Sequence, residues 1–217
     1  MDTLEIDSVE ISFNNKSILN AIYIKAESGT VTGILGNNGC GKSTLLRIIF
    51  GELKPIFKSL RINGKRFSKP FLTSNNIKYL PQFHFIPNSM AVQKSFEYFN
   101  VAITDFYIIF PELEVLQKQK FKTLSGGEKR IIETFLILKS PCKFVLLDEP
   151  FSHIAPVYIN RIIDLIHQEK KDKAIIVTDH MYKHIVSIAD KLYLLKDGWS
   201  KEIKNLNELE FYRYANI

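Results

Sequence analysis

The chain has 217 residues, of which 46% are hydrophobic, and it carries a formal net charge of +6 from 29 basic and 23 acidic side chains. This composition excludes a disordered chain and is sufficient for one substantial hydrophobic core. The modest positive charge fits a nucleotide-binding protein, an anionic membrane surface or nucleic acid equally well, so it selects none of these classes.

The sequence lacks the usual signals of secretion and membrane insertion. Its longest apolar runs, such as "FYIIF", are far shorter than the roughly 18 to 20 residues of a membrane-spanning helix. The first residues, "MDTLEIDSVEIS", are acidic and alternating, unlike a signal peptide. The positions of Cys40 and Cys142 predict neither a disulfide nor a metal site. We therefore expect a cytoplasmic protein that reaches a membrane only from its surface.

In the first part of the chain, the pattern predicts strands followed by a helix. Alternating residues predict short strands as far as "VTGIL", and "STLLRIIFG" predicts a helix that ends near Gly51. Residues 57–80 return to short strand-like pieces. We predict an antiparallel β lobe of about 1–32 and 57–80, followed by a mainly helical lobe of about 84–125.

From Ser125 onward, strands and helices alternate regularly. A helix is predicted from Ser125 to about Lys139, then the strand "KFVLLD", a helix from Pro156, the strand "AIIVTDH", the helix "MYKHIVSIA" and the strand "KLYLLKDG". This alternation predicts an α/β fold with a doubly wound parallel sheet and ligands at the carboxyl ends of its strands. We expect a single domain over residues 1–217, with this sheet as its core.

The stretch "GNNGCGKST" matches the phosphate-loop pattern G-x-x-x-x-G-K-[ST], with a strand before it and a helix after it. Glycines allow backbone N–H groups to point at a polyphosphate, and the start of the helix adds partial positive charge. Lys42 would reach the terminal phosphates and Ser43 would bind Mg²⁺. The predicted ATP-binding residues of this loop are Gly36, Asn37, Asn38, Gly39, Cys40, Gly41, Lys42, Ser43 and Thr44. We also expect the helix start to favour the thiolate of Cys40, so that alkylation there blocks nucleotide binding.

Three further positions follow predicted strands. Asp148 and Glu149 end "FVLLDEP", where Asp148 would hold Mg²⁺ and Glu149 would orient a hydrolytic water. His180, in "TDH", would sense the γ-phosphate, and the amide oxygen of Gln82, in "YLPQF", would ligate Mg²⁺ or water. Taken singly, each has a plain structural alternative: a charged turn, a structural histidine or a surface glutamine.

A second glycine-rich turn begins the helix "LSGGEKR". Ser125 and Glu128 form a capping-box pattern, which leaves the adjacent Gly126 and Gly127 unexplained because glycine disfavours helices by about 1 kcal/mol relative to alanine. Exposed N–H groups at a helix start can receive a phosphate. Since the phosphate loop already serves the chain's own nucleotide, we predict that this turn binds the γ-phosphate held by a second copy.

Taken together, these residues resemble the nucleotide-binding domain of the ATP-binding cassette (ABC) family over nearly the whole chain. "GNNGCGKST" resembles its Walker A motif, "LPQ" its glutamine loop, "LSGGEKR" its signature, "FVLLDEP" its Walker B motif and "TDH" its switch histidine. The resemblance implies a P-loop NTPase fold, ATP and Mg²⁺ as ligands, and Phe13 as the aromatic residue that stacks on adenine, although Phe13 also fits an ordinary core position.

The resemblance further implies partners. Two domains would pair head to tail around two ATP molecules, as a homodimer or a heterodimer, and would drive a separate transmembrane subunit from the inner face of the cell membrane. In this family the membrane subunit specifies the transported substrate and the direction of transport. Nucleic acid is not an expected partner.

The chain also departs from the family pattern. After Walker B the family has Ser-x-Leu-Asp, whereas this chain has Ser152, His153, Ile154 and Ala155. In the family this aspartate acts across the dimer interface. Its replacement by alanine favours a second hypothesis, a low-turnover ATP-dependent switch. A third is a soluble cassette ATPase that acts on DNA, ribosomes or metal-cluster assembly, although the tandem cassettes and long insertions common in such proteins are not found here.

Overall fold

The computed structural model describes residues 1–66 and 76–214, and its centre is a six-stranded, mostly parallel sheet. The strands are β1 (Thr3–Phe13), β2 (Lys16–Leu19), β3 (Tyr23–Glu27), β4 (Val31–Leu35), β5 (Phe57–Ile62), β6 (Lys65–Arg66), β7 (Ile77–Leu80), β8 (Phe144–Asp148), β9 (Ala174–Thr178), β10 (Lys191–Lys196) and β11 (Trp199–Ile203). The helices are α1 (Lys42–Phe50), α2 (Val92–Phe99), α3 (Ile103–Ile109), α4 (Gly126–Lys139), α5 (Pro156–Glu169), α6 (Tyr182–Ile188) and α7 (Asn207–Phe211), with 3₁₀ turns at Pro111–Leu116 and Phe121–Thr123.

The order of strands in the central sheet is β11-β10-β4-β9-β8-β7. Every neighbouring pair is parallel except β10 and β11, which form an antiparallel hairpin. The sheet confirms the predicted doubly wound α/β core.

Apolar runs in the central strands are explained by burial on both faces of the sheet. In β8, Phe144 and Leu146 pack with α1 and the antiparallel strands, whereas Val145 and Leu147 pack with α4 and α5. All five residues of β8 are buried. The strand therefore has no solvated face, and its first charged side chain is Asp148 at the carboxyl end.

The second sheet is antiparallel and covers one face of the core. Its long strand β1 pairs with β3 and β5 along its first half and with β2 near its end, while β6 extends β5. The prediction that this lobe includes residues up to 80 is wrong at β7, which pairs in parallel with β8 in the core sheet. Ile77, Tyr79 and Leu80 of β7 are buried, as a core strand requires. Within that predicted segment, β5 and β6 do belong to the antiparallel sheet, and residues 67–75 lie outside the described residues.

The helical lobe lies between β7 and α4, and it is compact and aromatic. It consists of α2, α3 and the two 3₁₀ turns, in agreement with the predicted helical character of this segment. The fully buried Phe106 is at its centre, with ring centroids 5.3 Å from Phe96, 5.1 Å from Phe110 and 5.1 Å from Phe135 on α4. The lobe is thus packed directly on the helix that begins with the signature turn.

Helix boundaries agree with the local sequence signals. α4 begins with a complete capping box, in which Ser125 Oγ accepts from the Glu128 N–H (3.2 Å) and the Glu128 carboxylate accepts from the Ser125 N–H (2.7 Å). α1 ends at Gly51 in the left-handed conformation, and α5 begins with Pro156. Within the two described ranges, none of the helices is both long and apolar enough to cross a membrane.

Replacing Phe106 with alanine tests the helical lobe. Removing this buried ring leaves a cavity between α3 and α4, and we expect Phe106→Ala to lower the free energy of unfolding by about 3 to 5 kcal/mol. Ile108, on the same helix but 79% exposed, provides the control, and Ile108→Ala should change stability by no more than about 0.5 kcal/mol. Urea unfolding of both variants is the measurement, and equal stabilities would contradict the packing described.

Candidate active site

A cleft of about 610 Å³ lies where the loops after β4, β7, β8 and β9 meet the end of β1. It is lined by Phe13, Ile18, Asn38, Gly39, Gly41, Lys42, Ser43, Thr44, Gln82, Glu149 and His180. All of these except Ile18 are predicted site residues, so segments far apart in sequence converge as the motifs require. Ile18, just after the first turn, was missed because an apolar strand residue carries no signal of ligand contact.

The phosphate loop wraps around the start of α1. Gly41 caps the helix with φ of +106°, and a Cβ there would lie 2.8 Å from Leu19 Cδ2, so both backbone geometry and space require glycine. The first turn of α1 contains no acidic residue that would compete with an anion. The arrangement offers free N–H groups and the positive end of the helix to the cleft.

Lys42 holds the loop in shape from within. Its Nζ donates to the carbonyl oxygens of Gly36 (2.6 Å) and Asn37 (3.1 Å), and the side chain is buried. A positive charge is therefore fixed at the floor of the phosphate loop.

Ser43 and Asp148 provide neighbouring oxygen ligands. Ser43 Oγ donates to Asp148 Oδ1 (3.1 Å), and Tyr79 from β7 donates to Asp148 Oδ2 (3.2 Å). Burial raises the pKa of the Asp148 carboxyl, whereas these two hydrogen bonds lower it. A hydroxyl and a carboxylate are the hard oxygen donors that Mg²⁺ prefers, so the residues fit this ion. Ser43 lines the cleft and Asp148, only 1% exposed, lies behind it.

Glu149 and His180 face each other at the rim of the cleft. The Glu149 carboxylate accepts from Ser152 Oγ (3.0 Å) and lies 3.6 Å from Nδ1 of His180. The Glu149 N–H donates to the carbonyl of Thr178 at 2.7 Å, with Glu149 in a left-handed conformation (φ +54°). This backbone geometry directs a carboxylate from the end of β8 toward the end of β9, beside His180.

Asp179 is a site-building residue that the sequence analysis missed. Its fully buried carboxylate accepts from the N–H groups of Phe151 (3.2 Å) and Met181 (2.9 Å), and it lies 3.3 Å from the His180 ring. Burial raises its pKa, although the two backbone hydrogen bonds oppose the shift. It fixes the loops that carry Glu149 and His180, and its position directly before His180 is the only signal the sequence contains.

Arg130, which was also missed, ties α4 to the ends of two core strands. Its guanidinium, in a side chain only 2% exposed, donates to the carbonyls of Pro81 (2.6 Å), Asp148 and Glu149 (2.8 Å). Burial lowers its pKa, and nearby carboxylates led by Glu133 counter that effect. A buried arginine donates to several carbonyls at once at the ends of these strands, which an apolar residue could not do.

Glu133, one turn further along α4, makes a second tie. Its fully buried carboxylate accepts from the N–H groups of Phe85 (3.0 Å) and Ile86 (3.3 Å) and lies 2.8 Å from Nδ1 of His84. The segment after Gln82 is thereby bonded to the same helix as the Walker B carbonyls.

The signature turn lines a separate cavity of about 470 Å³. This cavity is formed by Leu113, Ser125, Gly126, Gly127, Glu128, Ile131, His153, Ala155 and Tyr158, none of which lines the phosphate-loop cleft. A Cβ at Gly127 would lie 2.6 Å from the His153 carbonyl oxygen, whereas one at Gly126 would meet only His84 Nε2, at 3.9 Å. Internal packing therefore explains Gly127 and leaves Gly126 open to a ligand.

Three of the predicted loop residues, Gly36, Asn37 and Cys40, do not line the cleft. Asn37 and Cys40 line a different cavity behind the loop, beside Tyr212 and Tyr214. The prediction of a thiolate at Cys40 is wrong. Burial raises the pKa of this thiol, and this effect outweighs the opposing effect of the nearby Lys42 charge. The helix start does not reach this side chain strongly enough to offset its desolvation.

A family model and individual relatives both match this chain, and they indicate the same family. The family model described as "ABC transporter" matches residues 19–152. The branched-chain amino acid transport ATP-binding protein BraG of Pseudomonas aeruginosa is 24% identical over 208 residues, covering 90% of this chain and 89% of that protein. The molybdate import ATP-binding protein MolC of Haemophilus influenzae is 33% identical over 178 residues, covering 77% of this chain and 68% of that protein.

A solved structure described as the ATP binding subunit of an ABC transporter has the same fold. It superposes with a TM-score of 0.80 at 20% identity, covering 98% of this chain and 95% of that one. The convergent cleft, the separate signature cavity and these matches agree. The chain belongs to the ABC transporter family, as one of its ATP-binding ATPase subunits.

Proposed function

We propose that this chain binds and hydrolyses ATP as the motor subunit of a transporter, and that two such domains close head to tail around two ATP molecules. The observation that carries this is the separation of the two glycine-rich turns: the phosphate loop and the signature turn line cavities that share no residue. A phosphate held in the first cavity is out of reach of the second within one chain, so the open N–H groups at Gly126 need a second domain.

In the proposed complex each predicted residue has a defined role. Phe13, 46% exposed at the end of β1, and Ile18 would enclose the adenine ring, and Lys42 with the loop N–H groups would hold the phosphates. Ser43, Asp148 and Gln82 would hold Mg²⁺, which when bound neutralises phosphate charge. Glu149 would accept the proton of the attacking water, and His180 would lie beside the γ-phosphate.

A membrane subunit is the proposed partner, and an apolar groove of about 690 Å³ is its proposed docking site. The groove lies between α1, β7 and the helical lobe, and it is lined by Phe50, Glu52, Lys78, Tyr79, Pro81, Phe83, Phe85, Ile86, Pro87, Met90, Tyr98, Phe99 and Ile137. Exposed rings such as Phe83 and Tyr98 are typical of a surface that a partner covers. This partner would place the chain at the inner face of the cell membrane.

The names of the relatives support a membrane subunit as the partner. BraG, MolC and the lipopolysaccharide export protein LptB of Escherichia coli are all named as ATP-binding proteins of transport systems. They span uptake and export, and in the proposed complex the membrane subunit would determine the transported substrate and the direction.

A low-turnover switch is the second candidate, favoured by Ala155. This residue occupies the N-cap position of α5 with no side-chain hydrogen bond, where the family has an aspartate. Phosphate release by the purified protein separates the two candidates, because a switch would bind ATP with little steady hydrolysis.

The variant Glu149→Gln tests both hydrolysis and dimerisation. Loss of the proposed base should slow ATP hydrolysis by about 10² to 10⁴ while leaving ATP binding intact. The ATP-loaded variant should then accumulate as a dimer, measured by light scattering during gel filtration with Mg²⁺ and ATP. A variant that binds ATP and stays monomeric, both alone and with its membrane subunit, would rule out the two-domain site.

Alanine at each signature glycine separates phosphate binding from packing. Gly126→Ala should leave the free energy of unfolding unchanged or raise it by up to about 1 kcal/mol, since the position is helical and open. It should nevertheless abolish ATP-dependent dimerisation in the Glu149→Gln background. Gly127→Ala should cost about 1 to 3 kcal/mol of stability, because it displaces the backbone at His153.

Urea unfolding and gel filtration of the two variants provide the comparison. If Gly126→Ala dimerised normally, the signature turn would not be the receptor for a second phosphate.

A further inference from the structure

Tyr79 lies at the boundary between the apolar groove and the nucleotide cleft. Its ring is part of the groove wall and packs against Phe50 at the end of α1, with ring centroids 5.3 Å apart. Its hydroxyl points the other way and donates to Asp148 Oδ2 at 3.2 Å. One side chain thus contacts both a surface proposed for a partner and the carboxylate proposed for Mg²⁺.

Packing alone does not explain the hydroxyl of Tyr79. Phenylalanine would fill nearly the same volume in β7, and burying a hydroxyl is unfavourable unless it is hydrogen-bonded. The hydrogen bond of the Tyr79 hydroxyl goes to Asp148, which the cleft would use to hold a metal.

The hydrogen bond from Tyr79 complements the one from Ser43. Ser43 Oγ donates to Asp148 Oδ1, so the two oxygens of the carboxylate are held from opposite sides, by α1 and by β7. Ligand carboxylates are oriented by such outer partners, and loss of a partner typically weakens metal binding. If the tyrosine ring moves, the orientation of the carboxylate is no longer fixed.

We propose that Tyr79 is a positioning residue for the magnesium carboxylate, and that its ring links occupancy of the apolar groove to metal affinity in the cleft. This inference rests on the proposed function of the cleft and adds a route by which a bound partner controls it. An occupant that presses on the ring or on Phe50 would shift the hydroxyl relative to Asp148 and so change how tightly the nucleotide complex holds its metal.

The variant Tyr79→Phe isolates the hydroxyl, and Tyr193→Phe is its matched control. Tyr193 is a buried tyrosine of the same hydrophobic cluster, and its hydroxyl is also bonded, accepting from the Lys25 N–H at 3.3 Å. Binding of Mn²⁺ to the ADP-loaded protein, followed by electron paramagnetic resonance of free Mn²⁺, reports the metal site without turnover. We expect Tyr79→Phe to weaken Mn²⁺ binding about 10-fold and Tyr193→Phe to leave it within about twofold of the parent protein.

ADP affinity in the presence of EDTA distinguishes positioning from general damage. It should be the same in all three proteins, because neither hydroxyl contacts the phosphate loop. Unchanged Mn²⁺ affinity in Tyr79→Phe, or an equal loss in both variants, would overturn the inference while leaving nucleotide binding standing. A parent protein that binds neither ADP nor ADP with Mn²⁺ would instead overturn the proposed function of the cleft.

The link to the groove is tested through Phe50, which touches the Tyr79 ring from the groove side and does not line the cleft. We expect Phe50→Ala to weaken Mn²⁺ binding by less than Tyr79→Phe, and the double variant to show no loss beyond that of Tyr79→Phe. Phe50→Leu provides the same test if the alanine variant unfolds. Unaltered Mn²⁺ affinity in the Phe50 variants, or losses that multiply in the double variant, would refute transmission through Tyr79.

Discussion

The buried carboxylate of Asp148 is the constraint on which the site depends. It ends a strand that is apolar on both faces, so it enters a region with little water and would be costly to ionise alone. Ser43 and Tyr79 hold its two oxygens, and Arg130 satisfies the carbonyl of the same residue. These partners come from α1, β7 and α4. Together with β8 itself, four elements are therefore fixed relative to one another by contacts to this one residue.

The helix α4 extends this constraint to the second half of the proposed reaction site. It starts at the signature turn. Its Arg130 donates hydrogen bonds to carbonyls at the ends of β7 and β8, and its Glu133 accepts a hydrogen bond from the segment that follows Gln82. Arg130 and Glu133 are both buried, and each charged group is hydrogen-bonded to backbone atoms, an arrangement that is costly to break in the protein interior. A phosphate bound at the turn by a second domain would thus pull on the groups that hold Asp148 and on the wall of the groove. The contacts give a physical path between neighbouring sites without requiring any large movement.

The sequence predicted the core sheet and the residues of the cleft well, because each motif follows a buried apolar strand and carboxyl ends of parallel strands meet at one edge. It misplaced β7, since four residues with a lysine among them look alike in a parallel core and in an antiparallel lobe. It also missed Arg130, Asp179 and Glu133. Each of these is a charged residue that the fold buries, and sequence patterns assign charged residues to the surface. The raised pKa of Cys40 was missed for the same reason, since burial depends on what packs behind the loop.

The change from aspartate to Ala155 alters the charge that one domain would present to the other. In this chain α5 begins without a side-chain cap, supported by the proline at its first position, and the neighbouring His153 faces the signature cavity. Gly127 packs directly on the His153 carbonyl, so the signature turn and this loop are in close contact. In the proposed two-domain complex, the face toward the second nucleotide would therefore have one carboxylate fewer than the family pattern, with His153 beside it. Because ATP is a polyanion, this exchange would favour the closed, ATP-bound state of the proposed complex over the open one. Release of the two domains would then depend more heavily on hydrolysis at Glu149 than on repulsion across the interface.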